Sequence, residues 1–257
     1  ESEFKNKTEK TLWAGAITER KMPLSKNNEL NLIMKENAKL TIEHSGGDGW
    51  TILHGDMLNL MRSFESGEFD AVITDPPYAS GGASQTAKNR TTNQKYSSMS
   101  PDKALPDFAG DQKDQRSWTN WCTEWLTEAN RVCKPGAVLV VFIDWRMAPC
   151  LSDALQRADW IWRGQIVWDK QTCRPQRGRF RQQSEFALWA SKGPLPVDRP
   201  VSCLPGVFRY SNPANRIHVT EKPLQLMRDV VQICVPGGRI LDPFAGAGTT
   251  VLASVLE

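Results

Sequence analysis

The stretch ILDPFAGAGTTVLA, residues 240–253, has the pattern of a strand, a turn and a helix. An apolar run ends at Asp242, a turn containing Gly246 and Gly248 follows, and a helix-forming segment comes next. Glycines let the backbone approach a ligand closely, and a helix N-terminus offers unpaired N–H groups. The pattern predicts a nucleotide-type cofactor site at the carboxyl end of a parallel strand. It is not a Walker A loop, because no Gly-Lys-Ser/Thr follows, and Val251 breaks the G-x-G-x-x-G pattern.

A second apolar run ends in a similar way within AVITDPPYAS, residues 71–80. Asp75 follows the run, and Pro76 and Pro77 then forbid a helix and stiffen the chain just before Tyr78. Taken alone, the stretch fits two interpretations. It is either a stiff turn after a strand, which is common, or a corner that fixes an acid and an aromatic ring for catalysis.

The segments around these two strand ends alternate between strand and helix patterns. Residues 51–54, 57–64 and 69–74 predict a strand, a helix and a strand with short connections, as in a parallel sheet. Residues 137–143 form a continuous apolar run of the kind found in fully buried strands. The remaining predicted elements are strands at 161–168, 185–190 and 239–241 and helices at 153–157 and 224–234. Together they predict an α/β fold.

Tryptophans recur at helical spacing after residue 117. Such a stripe could be an aromatic platform for nucleic acid, but a core-facing helix explains the spacing better, and we predict that helix. Lys134-Pro135-Gly136 is expected to close it. The apolar positions of the stripe are Trp118, Trp121, Cys122, Trp125, Leu126 and Ala129.

The bulk composition is that of an ordinary globular protein. The chain has 257 residues, of which 40% are hydrophobic and 24% charged, with a net charge of +3. Six scattered cysteines without a C-x-x-C pair predict free thiols, and three scattered histidines give no sign of a metal site. The start of the chain is charged and no apolar run is long enough to span a membrane, so a cytoplasmic location is expected.

Three segments depart from the α/β pattern. Residues 1–49 are predicted to be a polar, irregular N-terminal extension with one helix at 29–39, before a catalytic domain at 50–257. Residues 79–116 are rich in small polar residues and predict a mobile loop. A basic segment followed by a proline-rich one predicts a loop-rich insertion at about 170–215.

Four short motifs have counterparts in a known family. D-P-P-Y at 75–78, D-P-F-x-G-x-G at 242–248, HVTEKP at 218–223 and the Gly-Asp that ends ILHGD at 52–56 resemble the motifs of the S-adenosylmethionine-dependent DNA amino-methyltransferases. Those enzymes methylate the exocyclic amino group of adenine or cytosine. D-P-P-Y precedes the glycine turn, an order that resembles the circularly permuted beta arrangement of the family, with the recognition segment between the two motifs.

The resemblance implies a Rossmann-like methyltransferase fold with a mainly parallel twisted sheet, flanking helices and a loop-rich target-recognition insertion. It implies S-adenosylmethionine as cofactor, no metal, and double-stranded DNA as partner, with the target base flipped out of the stack. Asp75 and the Pro76 carbonyl would accept hydrogen bonds from the target amino group, Pro77 would help to hold them still, and Tyr78 would stack on the base. The implied cofactor-binding residues are Asp56, Asp75, His218, Thr220, Lys222, Asp242, Pro243, Phe244, Gly246, Gly248 and Thr249.

DNA binding also requires positive charge close to the target pocket. KQTCRPQRGRFR, residues 170–181, carries five cations and no acid, and it is either a solvated basic loop or a DNA-contacting one. Its place between the motifs favours DNA contact, and residues 81–114 could close over the flipped base. The predicted DNA-binding residues are Lys170, Arg174, Arg177, Arg179 and Arg181.

Several alternatives stay open. Asp75 resembles the adenine-N6 enzymes, whereas cytosine-N4 enzymes more often carry Ser there, and both amino groups suit the same acceptors. Methylation of RNA or protein and a non-catalytic DNA-binding role are further alternatives, as are a homodimer and a restriction-endonuclease partner. In the family an acid on the strand after the glycine turn would hold the cofactor ribose. Because Glu257 comes before such a strand, we expect a native protein that continues, or weak cofactor binding.

Overall fold

The computed structural model describes residues 14–18, 43–79, 113–173, 175–213 and 221–257, with the backbone alone described at 14–18 and 43–45. In this part of the chain nine strands form one sheet, and five helices flank it. The strands are β1 (Ala14–Thr18), β2 (Glu43–Gly47), β3 (Trp50–His54), β4 (Phe69–Thr74), β5 (Cys133–Ile143), β6 (Ile161–Asp169), β7 (Ser184–Ser191), β8 (Val207–Arg209) and β9 (Ile240–Asp242). The helices are α1 (Met57–Ser63), α2 (Gln115–Val132), α3 (Ala148–Arg157), α4 (Leu224–Val231) and α5 (Thr249–Leu256).

The strands lie in the order β2-β3-β1-β9-β4-β5-β7-β6-β8. The three central strands β9, β4 and β5 are parallel to one another, and β8 is parallel to β6. The other neighbouring pairs are antiparallel. The predicted α/β architecture is therefore confirmed, but the sheet is mixed rather than mainly parallel, because five of its eight neighbouring strand pairs are antiparallel.

Strand directions decide which loops meet. The strands β9, β4 and β5 all end at one end of the sheet, which we call the carboxyl end. Because β7 is antiparallel to β5, it begins at the carboxyl end, and β6, antiparallel to β7, ends there. The strand β3 also ends there, because it runs antiparallel to β1, which runs antiparallel to β9. The predicted strand–helix–strand unit thus has the expected direction, but β1 and β9 lie between its two strands.

The N-terminal region differs most from its prediction. Residues 14–18 and 43–47 form strands, so the prediction of an irregular extension is wrong at these two segments. The strand β1 pairs antiparallel with β9, with Ala16 opposite Asp242, and therefore covers the outer side of β9. The predicted helix at 29–39 lies outside the described residues, as do residues 80–112 of the predicted mobile loop.

The other elements agree with the sequence apart from their bounds. The strand β5 begins at Cys133 and so includes the Lys-Pro-Gly segment predicted to close α2, which ends at Val132. The helix α3 begins at Ala148 rather than 153, and α4 ends at Val231 rather than 234. The proline-rich loop at 192–215 contains the short strand β8. Among the described residues, no helix is both long and apolar enough to cross a membrane.

The helix α2 packs its tryptophan stripe into the core, as predicted. Asp114 begins the helix by accepting the backbone N–H groups of Arg116 and Ser117 at 3.0 and 3.1 Å, which satisfies two otherwise unpaired donors. Trp118 and Trp125 are completely buried. Trp121 is partly buried against the same core. The helix α2 is therefore packed firmly against the core beside the carboxyl end of β4.

Candidate active site

The two chemistry-bearing strand ends are adjacent. The parallel pair β4 and β9 places Val72 opposite Leu241, so Asp75 and Asp242 lie on neighbouring strands at the carboxyl end. The Thr74 hydroxyl donates a hydrogen bond to Asp242 Oδ1 at 2.6 Å, which ties the end of one strand directly to the other. Two stretches separated by 168 positions in the sequence thus form one site.

The Asp75 carboxylate has a donor on each oxygen. Tyr78 donates its hydroxyl to Oδ1, and Lys222 donates from Nζ to Oδ2 at 2.6 Å. Lys222 also donates to the Tyr78 hydroxyl oxygen at 3.0 Å. Burial, followed by the negative charge of Asp75, holds the pKa of Tyr78 well above its ordinary value, so the phenol stays a neutral donor.

Lys222 continues a chain of alternating charge. Its ammonium lies 3.5 Å from Glu185 Oε2, and Glu185 Oε1 in turn accepts from Lys170 Nζ at 3.0 Å. Only 5% of the Lys222 side chain is exposed, and its ammonium also lies about 5 Å from the ring of Phe142. Burial acts to lower the pKa of Lys222, but Asp75 and Glu185 outweigh it and leave the pKa raised. Lys222 therefore stays positively charged between the two acids.

Glu185 is held in its ionised form by the same chain. Burial acts to raise its pKa, but the positive charges of Lys222 and Lys170 outweigh that effect and lower the pKa. Glu185 comes from the start of β7, which reaches the carboxyl end only because that strand runs against β5. Glu185 in β7 contacts Lys222, and Lys222 contacts Asp75, so a third strand helps to hold Asp75 in place.

Asp242 lies in a different electrostatic environment. It is 3% exposed, and its Oδ1 accepts the backbone N–H of Phe244 at 3.0 Å in addition to the Thr74 hydroxyl. Burial raises its pKa to about 6, an effect that hydrogen bonds from Thr250, Thr74 and Phe244 only partly offset. Among the described residues, no salt bridge to a cation reaches this carboxylate. Asp242 is thus a buried acid that a positively charged ligand would stabilise.

The glycine turn leaves its outer surface open. Gly246 and Gly248 have φ angles of 51° and 77°, a left-handed conformation that favours glycine. A Cβ placed on Gly248 would meet no atom within 4 Å, so the turn needs glycine there for its backbone angles rather than for lack of space. The Gly248 N–H donates to Ala245 O at 2.7 Å and closes the turn just before α5. The open turn and the start of α5 can offer N–H donors to a ligand, and Asp242 can offer the same ligand a negative charge.

A hydrogen bond from the helix α2 also holds the D-P-P-Y corner in place. Trp118 donates its Nε1–H to the Pro77 carbonyl at 2.8 Å, from a completely buried ring. Among the described residues, no hydrogen bond reaches the Pro76 carbonyl oxygen. Ala79 follows Tyr78 with a φ of 53°, which is uncommon for a residue with a side chain. Within the described part of the chain, the corner therefore has one carbonyl that accepts a hydrogen bond and one that does not.

A family model described as DNA methylase matches residues 69–257. The chain belongs to the N6/N4 DNA methylase family. The Escherichia coli (strain K12) protein YubD, named as a methylase, is 27% identical over 205 residues, which cover 79% of this chain and 78% of YubD. The resemblance drawn from the sequence motifs is thereby confirmed.

Solved structures of DNA methyltransferases share the fold. The M1.HpyAVI–SAM complex is 25% identical to this chain, with a TM-score of 0.52, and the match covers 79% of this chain and 86% of that one. The PvuII DNA methyltransferase, described as cytosine-N4-specific, matches with a TM-score of 0.54 at 16% identity, over 79% of this chain and 77% of that one. The Rossmann-like α/β fold is therefore confirmed.

Three of the predicted site residues have hydrogen bonds within the protein, and their binding roles stay predictions. Asp56 is exposed and caps α1 by accepting the Asn59 N–H at 3.0 Å, and β1 separates its strand from β9. Lys222, predicted to bind cofactor, has its ammonium on Asp75. Lys170, predicted to bind DNA, has its ammonium on Glu185. His218, Thr220 and Arg174 lie outside the described residues.

Sequence reasoning missed two positioning side chains of this DNA methylase. Glu185 lies at the start of the strand β7, and an acid at the start of a strand is only a weak signal of a functional residue. Trp118 was assigned to the core alone, and its hydrogen bond to Pro77 depends on tertiary packing. The described residues contain no group of three or more His, Cys, Asp or Glu side chains that could hold a metal ion.

Proposed function

We propose that this DNA methylase transfers a methyl group from S-adenosylmethionine to the N6 amino group of an adenine flipped out of duplex DNA. The observation that carries the proposal is the junction of β4 and β9, where the D-P-P-Y corner lies beside the glycine turn and Thr74 bonds to Asp242. A site for an amino group and a site for a methyl donor must be neighbours for direct transfer. A DNA substrate would also give the protein a nucleoid-associated location.

The residues around the glycine turn suit S-adenosylmethionine, which supplies a methyl group on a positively charged sulfur. Asp242 is a buried acid with a raised pKa, so a cationic ligand would stabilise its ionised form. The surface at Gly248 is open, so a ligand could approach the backbone of the turn closely. The residues proposed to hold the cofactor are Asp242, Pro243, Phe244, Gly246, Gly248 and Thr249.

The proposed role of Asp75 is to accept a hydrogen bond from the target amino group. The lone pair of an exocyclic amino nitrogen is delocalised into the ring, and fixed acceptors would localise it on the nitrogen. Asp75 Oδ1 accepts only from Tyr78 among the described contacts, so a substrate could replace that hydroxyl while Lys222 keeps Oδ2 in place. The Pro76 carbonyl would be the second acceptor. The two prolines and the Trp118 bond to Pro77 hold the acceptors before substrate arrives.

The choice of adenine rests on the acid at position 75, which resembles the adenine-N6 enzymes. Cytosine-N4 methylation is the second candidate, because the family includes both activities and the PvuII enzyme has the same fold. Both bases present an exocyclic amino group to the same acceptors. Methylation of RNA or protein lacks a comparable observation in its favour.

The experiment is incubation of the protein with labelled S-adenosylmethionine and unmethylated genomic DNA, followed by sequencing that detects modified bases. We expect label in DNA, as N6-methyladenine within one sequence context. Asp75→Ala should abolish transfer while calorimetry still detects cofactor binding. Asp159→Asn is a matched control, because Asp159 is exposed and has a φ of 60° that asparagine also adopts. Full activity in the Asp75 variant would refute the proposed role, and N4-methylcytosine would correct the base.

A further inference from the structure

The loop between β6 and β7, residues 170–183, projects from the carboxyl end of the sheet. Its base is closed where Lys170 donates its backbone N–H to the Gln183 carbonyl at 2.7 Å. Arg179 bonds to Gln176 through both backbone and side chain, at 3.3 and 3.2 Å, around Gly178 with a φ of 73°. The loop therefore contains a hydrogen-bonded turn between Gln176 and Arg179, and the residues after Gly178 face outward.

Phe180 follows this turn and is 95% exposed. A single exposed apolar side chain needs no explanation by itself. The surroundings of Phe180 are unusual, because Arg179 and Arg181 flank it and no acid occurs between residues 170 and 183. A fully exposed ring between cations matches a partner that offers negative charge and flat apolar surfaces together, which is the chemistry of nucleic acid.

The base of the loop is connected to the candidate active site. Glu185, two residues after the loop, accepts from Lys170 at its start at 3.0 Å. Glu185 lies 3.5 Å from Lys222, and Lys222 lies 2.6 Å from Asp75. Three contacts thus join the loop to the proposed acceptor of the target amino group, on the same end of the sheet. A duplex whose base reaches Asp75 would pass close to this loop.

We propose that Phe180 enters the DNA duplex and fills the gap left in the base stack by the flipped target, while the flanking arginines hold phosphates. The inference rests on the proposed function, because a gap exists only if a base is flipped. Removing a base from the stack breaks favourable stacking on both of its neighbours. An aromatic ring in the gap restores part of it, and base–aromatic stacking is worth about 5- to 150-fold in binding per base.

The experiment compares two duplexes that contain the methylated context defined by modified-base sequencing. One is fully paired, and the other carries the target as an unpaired extra nucleotide, so that the flanking base pairs can stack on each other when the target leaves and no gap remains. The variants are Phe180→Ala, Phe180→Trp and the control Val197→Ala. Val197 is equally exposed, and its neighbour Pro196 lies against Gly136 at the opposite end of the sheet.

We expect Phe180→Ala to lower kcat/KM on the fully paired duplex by about 10- to 100-fold, because the gap then stays unfilled, and on the duplex with the extra nucleotide by less than about 3-fold. Phe180→Trp should keep most of the activity on both, and Val197→Ala should match the wild type. An equal loss on both duplexes, or no loss on either, would overturn the inference. A change of oligomeric state in Phe180→Ala with unchanged methylation would also overturn it, since Phe180 would then contact protein. A wild-type protein that methylates no DNA would instead refute the proposed function, and this inference with it.

Discussion

Asp242 predicts a dependence of stability on pH that one substitution should remove. The side chain is 3% exposed, and burial raises its pKa to about 6, against about 3.9 for an aspartate in an unfolded chain. The folded protein therefore binds the Asp242 proton more tightly than the unfolded chain does. Asp242→Asn keeps an oxygen that can accept from Thr74 and Phe244, but it carries no charge at any pH.

The sign follows from which state holds the proton. Between pH 4 and pH 6 the folded wild type keeps the Asp242 proton while the unfolded chain loses it, so rising pH destabilises the folded state over this interval. A difference of about 2 pKa units at 1.36 kcal/mol each gives about 3 kcal/mol, reached near pH 6 and constant above it. The asparagine variant should therefore gain about 3 kcal/mol relative to wild type between pH 4 and pH 7.

The assay is urea unfolding of both proteins without cofactor at pH 4.5, 5.5, 6.5 and 7.5, followed by subtraction of their free energies of unfolding. Subtraction cancels the titration of every other group that the two proteins share. Asp159→Asn, the same change of side chain at an exposed site, serves as the control for removal of a carboxylate. A difference between Asp242→Asn and wild type that stays constant with pH, or that favours wild type as pH rises, would refute the reasoning.

Two further predictions concern the side chains that fix Asp75. Lys222→Met should destabilise the protein by about 1–3 kcal/mol, because Asp75 loses its ammonium donor at 2.6 Å and Glu185 keeps only Lys170, and adding Asp75→Asn should recover part of the loss in thermal unfolding. If the double variant is no more stable than the single one, the ion pair is not the cause. Trp118→Phe removes the donor to the Pro77 carbonyl and should cost about 1–3 kcal/mol, with kcat falling while cofactor affinity measured by calorimetry stays unchanged. An equal fall in cofactor affinity would show a general loss of packing instead.

The sequence predicted that the two acid-containing turns lie at the same end of the sheet, because parallel strands all end on the same side. Two apolar runs that each end in an acid and a special turn place those turns at the same end of a sheet if the strands are parallel, and β4 and β9 are. The burial of Trp118 and Trp125 was predictable for a similar reason, since helical spacing fixes which side chains share a face.

The pairing of distant strands could not be predicted in this way. The strand β1 pairs with β9 although its sequence, AGAIT, is short and lies in a polar region. Its place depends on pairing with β3 and β9, which lie far along the chain, and no local pattern records that. Glu185 was missed for the same reason, because its presence at the site depends on the antiparallel direction of β7.

The two acids at the centre of the site differ in a way that supports different roles. Asp75 has Lys222 at 2.6 Å, so its negative charge is already balanced and it can present an oxygen to a neutral amino group without binding a cation. Asp242 has hydroxyl and N–H donors but no salt bridge to a described cation, and burial raises its pKa. A cationic ligand would therefore gain more from Asp242 than from Asp75. This difference supports the proposed reaction, in which the positively charged methyl donor would bind on the β9 side of the junction and the neutral base on the β4 side.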